Sequence, residues 1–309
     1  LLDLAIFAME IYKDDPCEEF GPKLEDGVTC SEKTRRLIAQ MHKAVSVLQF
    51  KLEAEIIHRR PEYEMADRLL LDKIDYTKGI CTIGGKRYTM RECHFPTIDP
   101  ADPYKLSVEE SEVIERIAHS FTTSEKLQRH IRCLLDNGSM YLVYNGNLLF
   151  HASVPMNPDG TLKEVFLYDG VYKGRSLLDK VDTLIRAAHS TDSEPPLRDF
   201  AIDYLWYLWC GKDAPTFDKD RMATFERYFL KDKSIMKETK GSYYTLRNED
   251  STVDLLLKEF GVEGDHRHII NGHIPVKTLK GENPMKAGGR LIVIDGGFSK
   301  PYQSQTGIA

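Results

Sequence analysis

The chain has 309 residues, a net charge of −6, and 41% hydrophobic against 29% charged residues, the balance of a folded globular protein with length enough for one or two domains. No run of 18 apolar residues occurs, which excludes a membrane-spanning helix, and the acidic body argues against nucleic acid as a partner. The six cysteines are scattered with no CxxC pair, so free thiols in a reducing, cytoplasmic setting are expected.

The first stretch, Leu1 to Met9, is apolar and helical in pattern, with neither a basic leader nor an initiator Met, and reads as cut from something longer. Residues 34–60 predict a long amphipathic helix, because Leu37, Met41, Val45, Leu48, Leu52 and Ile56 recur every three or four positions; Pro61 ends it. A second helix is expected over 64–74. Ile80–Ile83 and Lys86–Thr89, joined by Gly84-Gly85, predict a hairpin. Residues 95–106 carry three prolines and read as a linker. Ser107 with Glu110 is a capping-box pair that opens a helix to about 119, and another runs from about 124 to 136.

The texture then changes. Met140–Tyr144 and Asn147–Phe150, flanking Asn145-Gly146, form the strongest hairpin signal in the chain. Helical patterns return at about 175–189, 199–210, 220–230 and 252–260, and strand character at 268–270 and 291–294. The organisation expected is an α-rich region over 1–137, then strands over 138–309 interrupted by a helical insertion at about 172–262. Residues 266–309 hold six basic residues against two acidic ones, a net +4 that leaves −10 for the rest. Such a basic tail on an acidic body suits a small anionic ligand.

Two histidines stand where an apolar strand breaks into a loop: His151 after Leu148-Leu149-Phe150, and His273 after Ile269-Ile270-Asn271-Gly272. In α/β folds, ligands collect at strand ends. Neutral imidazole is the commonest metal-ligating side chain, and Gly272 lets the backbone approach a metal or phosphate closely. His42, His58, His119, His130 and His189 fall on predicted helices without partners at ligand spacing. His266 and His268 lie before and within a strand. None of these is expected to bind metal.

The two segments resemble the last two histidine motifs of the calcineurin-like metallophosphoesterases: His151 matches the lone histidine after a strand, and Gly272-His273 the final G-H. A closer resemblance, over essentially the whole chain, is to the class III fructose-1,6-bisphosphatases. It is carried most specifically by 281–300 (GENPMKAGGRLIVIDGGFSK), with support from Thr224–Phe229 and Tyr204–Trp209. The resemblance implies an α/β fold: the C-terminal part of a calcineurin-like β-sandwich core with large helical insertions. It also implies hydrolysis of the 1-phosphate of fructose 1,6-bisphosphate to fructose 6-phosphate, a gluconeogenic step. The centre would hold two metals, Mn2+ or Mg2+, with manganese favoured.

A phosphate monoester dianion repels hydroxide, and two cations about 3.5–4 Å apart neutralise it and turn bound water into a nucleophile. His151 and His273 would be metal ligands. Lys277, Lys286, Arg290 and Lys300 would clamp phosphate, while Asn271, Gly272 and Asp295 would support the ligands. The family's D-x-H, G-D-x-x-D and G-N-H-D/E motifs, which supply the carboxylates and the general acid, do not occur in this sequence. They are expected in polypeptide preceding it, and the chain alone is expected to be inactive. Another metallophosphoesterase activity, on phosphoproteins or dinucleoside polyphosphates, is the alternative within the fold. A non-catalytic helical interaction module, or a homo-oligomer built on the helices of 34–60 and 107–136, is the alternative outside it.

Overall fold

The computed structural model describes residues 2–24 and 27–295. Its elements run α1 (Leu2–Ile11), α2 (Glu32–Arg59), β1 (Ile74–Asp75), β2 (Ile80–Ile83), β3 (Lys86–Thr89), α3 (Val108–Thr123), α4 (Glu125–Asn137), β4 (Tyr141–Tyr144), β5 (Asn147–Phe150), β6 (Val165–Leu167), β7 (Gly170–Tyr172), α5 (Gly174–His189), α6 (Pro195–Cys210), α7 (Phe225–Phe229), α8 (Tyr243–Leu246), α9 (Asp250–Glu259), β8 (His268–Asn271), β9 (Met285–Lys286) and β10 (Leu291–Val293), an α/β arrangement. Packing divides the chain into two units. One is Leu1–Cys133 with Ala223–Lys237; the other is Leu134–Met222 with Glu238–Ala309. Among the described residues no helix is long and apolar enough to cross a membrane.

The first unit is built on α2. Ser31 caps it by accepting a hydrogen bond from the Thr34 amide at 3.1 Å. The helix forms as expected, and of the apolar stripe read from the sequence Leu48 is buried and Leu37, Met41, Leu52 and Ile56 are half-buried, but the most buried face is rotated from it. Val45 is exposed, whereas Lys43, Ala44, Val47, Phe50, Lys51 and Ala54 are buried. The rotation is possible because each buried ammonium is paired. Lys43 meets Asp15 and Glu92, both at 2.5 Å, and Lys51 meets Glu110 at 2.7 Å and the carbonyls of Thr97 and Lys105. Residues 64–74 do not form the expected helix. Two 3-10 turns, Ala66–Arg68 and Leu71–Lys73, replace it, with Glu64 in the left-handed region between buried Tyr63 and Met65. The helix expected over 220–230 shrinks to α7, because the Phe229 carbonyl accepts from the Arg91 amide and Lys231 donates to Thr89, drawing the chain out beside the β-hairpin. The capping box at Ser107 and Glu110 is present.

The second unit holds a five-stranded sheet in the order β4-β5-β8-β10-β9. The hairpin β4–β5 turns through Asn145 and Gly146, both at positive φ, the geometry an Asn-Gly pair adopts most readily. Strand β5 pairs in parallel with β8, Asn147 opposite His268 and Leu149 opposite Ile270. Strand β8 pairs in parallel with β10, Ile269 opposite Leu291. Period-two alternation puts Leu148, Phe150, Ile269, Asn271, Leu291 and Val293 on the covered face. Leu178, Tyr243, Tyr244, Val253, Leu256 and Leu257 pack with them in one core. The opposite face carries Leu142, Leu149, Ile270, Ile292 and Ile294, with Leu142 and Ile294 exposed. The short hairpin β6–β7 has no counterpart among the expected strands.

Candidate metal centre

Parallel pairing with this register delivers the C-terminal ends of β5 and β8 to the same place, since the residue after Phe150 stands opposite the residue after Asn271. The Gly272 amide accordingly donates to the His151 carbonyl at 2.8 Å, and β10 arrives alongside, the Ile294 amide donating to the Asn271 carbonyl at 2.8 Å. A Cβ added to Gly272 would sit 3.6 Å from the His151 oxygen and 3.7 Å from the Asp295 Cβ. Gly272 thus brings three strand ends within one residue's reach.

Beyond that junction the histidines turn toward each other. His273 Nδ1 lies 3.2 Å from His151 Nε2, the ring centroids are 5.1 Å apart and the planes cross at 71°. His273 holds φ = 68°, a conformation uncommon for a side-chain-bearing residue, and the Ile274 amide closes the tight turn onto the Gly272 carbonyl. Burial pushes the His273 pKa down to about 4, helped by the neighbouring His151 and Lys219 and opposed by Asp295. The ring is therefore neutral at physiological pH, the form that ligates metal. Asn271 is buried beneath the pair. Its Nδ2 donates to the Ala152 carbonyl at 2.9 Å, and its Oδ1 has no hydrogen-bond partner among the described residues.

Two nitrogens bound to one ion at about 2.1–2.2 Å, at octahedral to tetrahedral angles, lie roughly 3.0–3.5 Å apart, so the observed spacing fits two ligands of one cation. Among the described residues, no third His, Cys, Asp or Glu joins them in a metal-sized cluster.

The basic residues singled out from the sequence are spread. Lys277 is exposed and makes no side-chain ion pair among the described residues; its amide donates to Glu282. Lys286 pairs with the same Glu282 at 3.4 Å. Arg290 precedes β10, at the opposite end of that strand from Asp295, and is held by Asp254 and, at 3.7 Å, by Asp250. Lys300 lies outside the described residues.

Sequence reading passed over a second group. Lys219 and Lys240 face each other across an isolated antiparallel bridge, and both depress the His273 pKa. The bridge is set by Gly241, whose amide donates to the Asp218 carbonyl at 2.8 Å and whose missing Cβ leaves room for the Asp218 carboxyl. Asp218 is buried at φ = 47°, and burial pushes its pKa up to about 6, the nearby Ser153 hydroxyl opposing. Its Oδ2 has no hydrogen-bond partner among the described residues. No periodicity or motif marks these positions, because they meet only through loop geometry. A cavity of about 430 Å3 opens beside His151 on the less covered sheet face, lined among others by Leu142, Leu149, Ile270 and Asn271.

Comparison with known proteins bears on this geometry. The family model described as Firmicute fructose-1,6-bisphosphatase matches residues 1–309. The class 3 fructose-1,6-bisphosphatase of Phocaeicola vulgatus is 60% identical over 311 residues, covering 100% of this chain and 47% of the relative. That of Bacteroides fragilis is 60% identical over 310 residues with the same coverage, and that of Clostridium botulinum is 52% identical over 309 residues, covering 46% of the relative. The chain therefore spans about half the length of the curated relatives it matches. No solved structure matches it. With the family model matching from the first residue to the last, the chain belongs to the Firmicute fructose-1,6-bisphosphatase family.

Proposed function

We propose that this chain forms the C-terminal half of a two-metal phosphatase of the calcineurin-like type, acting on the 1-phosphate of fructose 1,6-bisphosphate. His151 and His273 ligate one cation, and the remaining ligands, chiefly carboxylates, come from polypeptide outside this chain. The observation that carries the reading is the 3.2 Å approach of two imidazole nitrogens at adjoining strand ends. The relatives' shared name supports the substrate. Manganese or magnesium suits a mixed oxygen and imidazole shell, and the bound metals would supply the hydroxide and neutralise the phosphate.

In this reading the protein's part is to hold neutral imidazoles at fixed spacing and to bind the anionic substrate. Buried Asn271 fixes the His151 loop through the Ala152 carbonyl, and Asp295 opposes the positive field on His273. Of the proposed phosphate clamps among the described residues, Lys277 is the most available. Lys286 and Arg290 would first have to leave their carboxylate partners. Six free cysteines accord with a cytoplasmic setting.

The test uses the full-length protein. His151→Ala and His273→Ala should each lose metal and bisphosphatase turnover together. Wild-type turnover in both variants would refute the assignment.

A further inference from the structure

We propose that Arg247 and Lys240, gathered on the ring of Tyr244, form a phosphate-binding subsite that holds the substrate phosphate not being hydrolysed. This rests on the phosphatase reading above. Arg247 is only 4% exposed, yet its Nε and Nη1 have no hydrogen-bond partner among the described residues. Its guanidinium carbon lies 5.3 Å from the centroid of the Tyr244 ring, and Lys240 Nζ lies 5.9 Å from the same centroid. Among the described residues neither cation makes an ion pair within 4 Å. A buried guanidinium with unmet donors is costly, and a second cation on the same ring adds repulsion. An anion at that spot removes both penalties.

Two carboxylates come near without pairing with either cation among the described residues. Asp218 lies near Tyr244 and raises its pKa, but stays beyond ion-pair distance of Arg247. Glu282 is within the field of Lys240 but accepts from the Lys277 amide and pairs with Lys286. The Lys240 pKa is lowered first by desolvation and then by Arg247, with Lys219 and Lys277 adding to it and Glu282 opposing; Lys219 is itself paired with Glu238 at 3.0 Å, so the positive charge left unpaired at this spot among the described residues is that of Arg247 and Lys240. The Tyr244 face holds Arg247 in place from three residues away at the end of α8, with the guanidinium Nε and Nη1 left without a partner among the described residues, donors of the kind a tetrahedral dianion satisfies.

The position relative to the histidine pair decides which phosphate. The Ser153 amide, two residues past His151, donates to the Pro215 carbonyl at 3.0 Å, Thr216 and His151 line the same cavity, and Lys240 bridges Lys219 on that loop, so the subsite adjoins the candidate metal centre. One small ligand with two phosphates can occupy both.

The test compares full-length wild type with Lys240→Gln, at an exposed position, and with Arg247→Gln. Inorganic phosphate is titrated calorimetrically into chelator-treated protein, and kinetics are measured with fructose 1,6-bisphosphate and with p-nitrophenyl phosphate, which has a single phosphate. Each variant should bind inorganic phosphate about tenfold or more weakly and lose at least about tenfold more kcat/KM on the bisphosphate than on the monophosphate, with wild-type metal content. Equal losses on the two substrates, or unchanged phosphate binding in Lys240→Gln, would overturn the proposal. Weakened phosphate binding with an unaltered bisphosphate KM would overturn it in favour of a separate phosphorylated effector. A wild type inactive on the bisphosphate would refute the functional reading instead, and the phosphate titration would still decide the subsite.

Discussion

Lys51 Nζ lies 2.7 Å from Glu110 Oε2, with the lysine side chain fully buried and the glutamate 1% exposed. This pair ties the middle of α2 to the first turn of α3, and two backbone carbonyls complete the ammonium's shell. Removing one partner strands the other without water. Lys51→Ala or Glu110→Ala should each cost about 3–5 kcal/mol, read from urea denaturation of the full-length protein, while the double change Lys51→Met with Glu110→Leu should cost less than either.

Asp218 gives the stability a pH dependence whose sign is fixed. Its folded pKa, about 6, lies above the ordinary 3.8, so its contribution is fully present below about pH 4 and is lost as the pH rises through 6. Asp218→Asn should leave stability near pH 4 unchanged and raise it at about pH 8 by roughly 1–3 kcal/mol, measured by denaturation at the two pH values.

Gly241 stands where any side chain would overlap the Asp218 carboxyl. Gly241→Ala should destabilise by about 2–4 kcal/mol. By parting Lys219 from Lys240 it should also weaken binding of inorganic phosphate. A thermal melt and a phosphate titration check the two effects separately.

The positive φ of His273 separates its backbone role from its chemical one. Asn tolerates that conformation and Val does not. His273→Asn should therefore keep stability within about 1 kcal/mol of wild type while losing metal, whereas His273→Val should lose metal and a further 1–3 kcal/mol or so. Metal analysis beside denaturation curves distinguishes them.

The parts of the fold legible in the sequence are those fixed by local chemistry. Asn145-Gly146, the Ser107–Glu110 capping box and the apolar runs before His151 and His273 each carry their own signal, and each element stands where they put it. The buried face of α2 was only partly legible, because Lys43 and Lys51 look like solvent-facing residues until Asp15, Glu92 and Glu110 arrive from elsewhere in the chain. Residues 64–74 have helical composition, but Glu64 turns left-handed to bury Tyr63 and Met65. At the candidate site, strand-end position singled out His151 and His273 and composition singled out the basic tail. Arg247, Lys240 and Asp218 gave no signal, since their neighbourhood is created by a loop bridge and a glycine contact.

The in-register parallel pairing of β5 with β8 makes the histidine pair an all-or-none device. Slipping β8 by a single residue against β5 would send Asn271 to the opposite side of the sheet and carry His273 about 3.3 Å along the strand, with no intermediate alignment that keeps the backbone bonded. The excursion of 121 residues between the two histidines leaves and re-enters the sheet at neighbouring rungs. The imidazole spacing is thus set by those rungs, while the excursion returns to cover them through Leu178, Tyr243, Val253, Leu256 and Leu257.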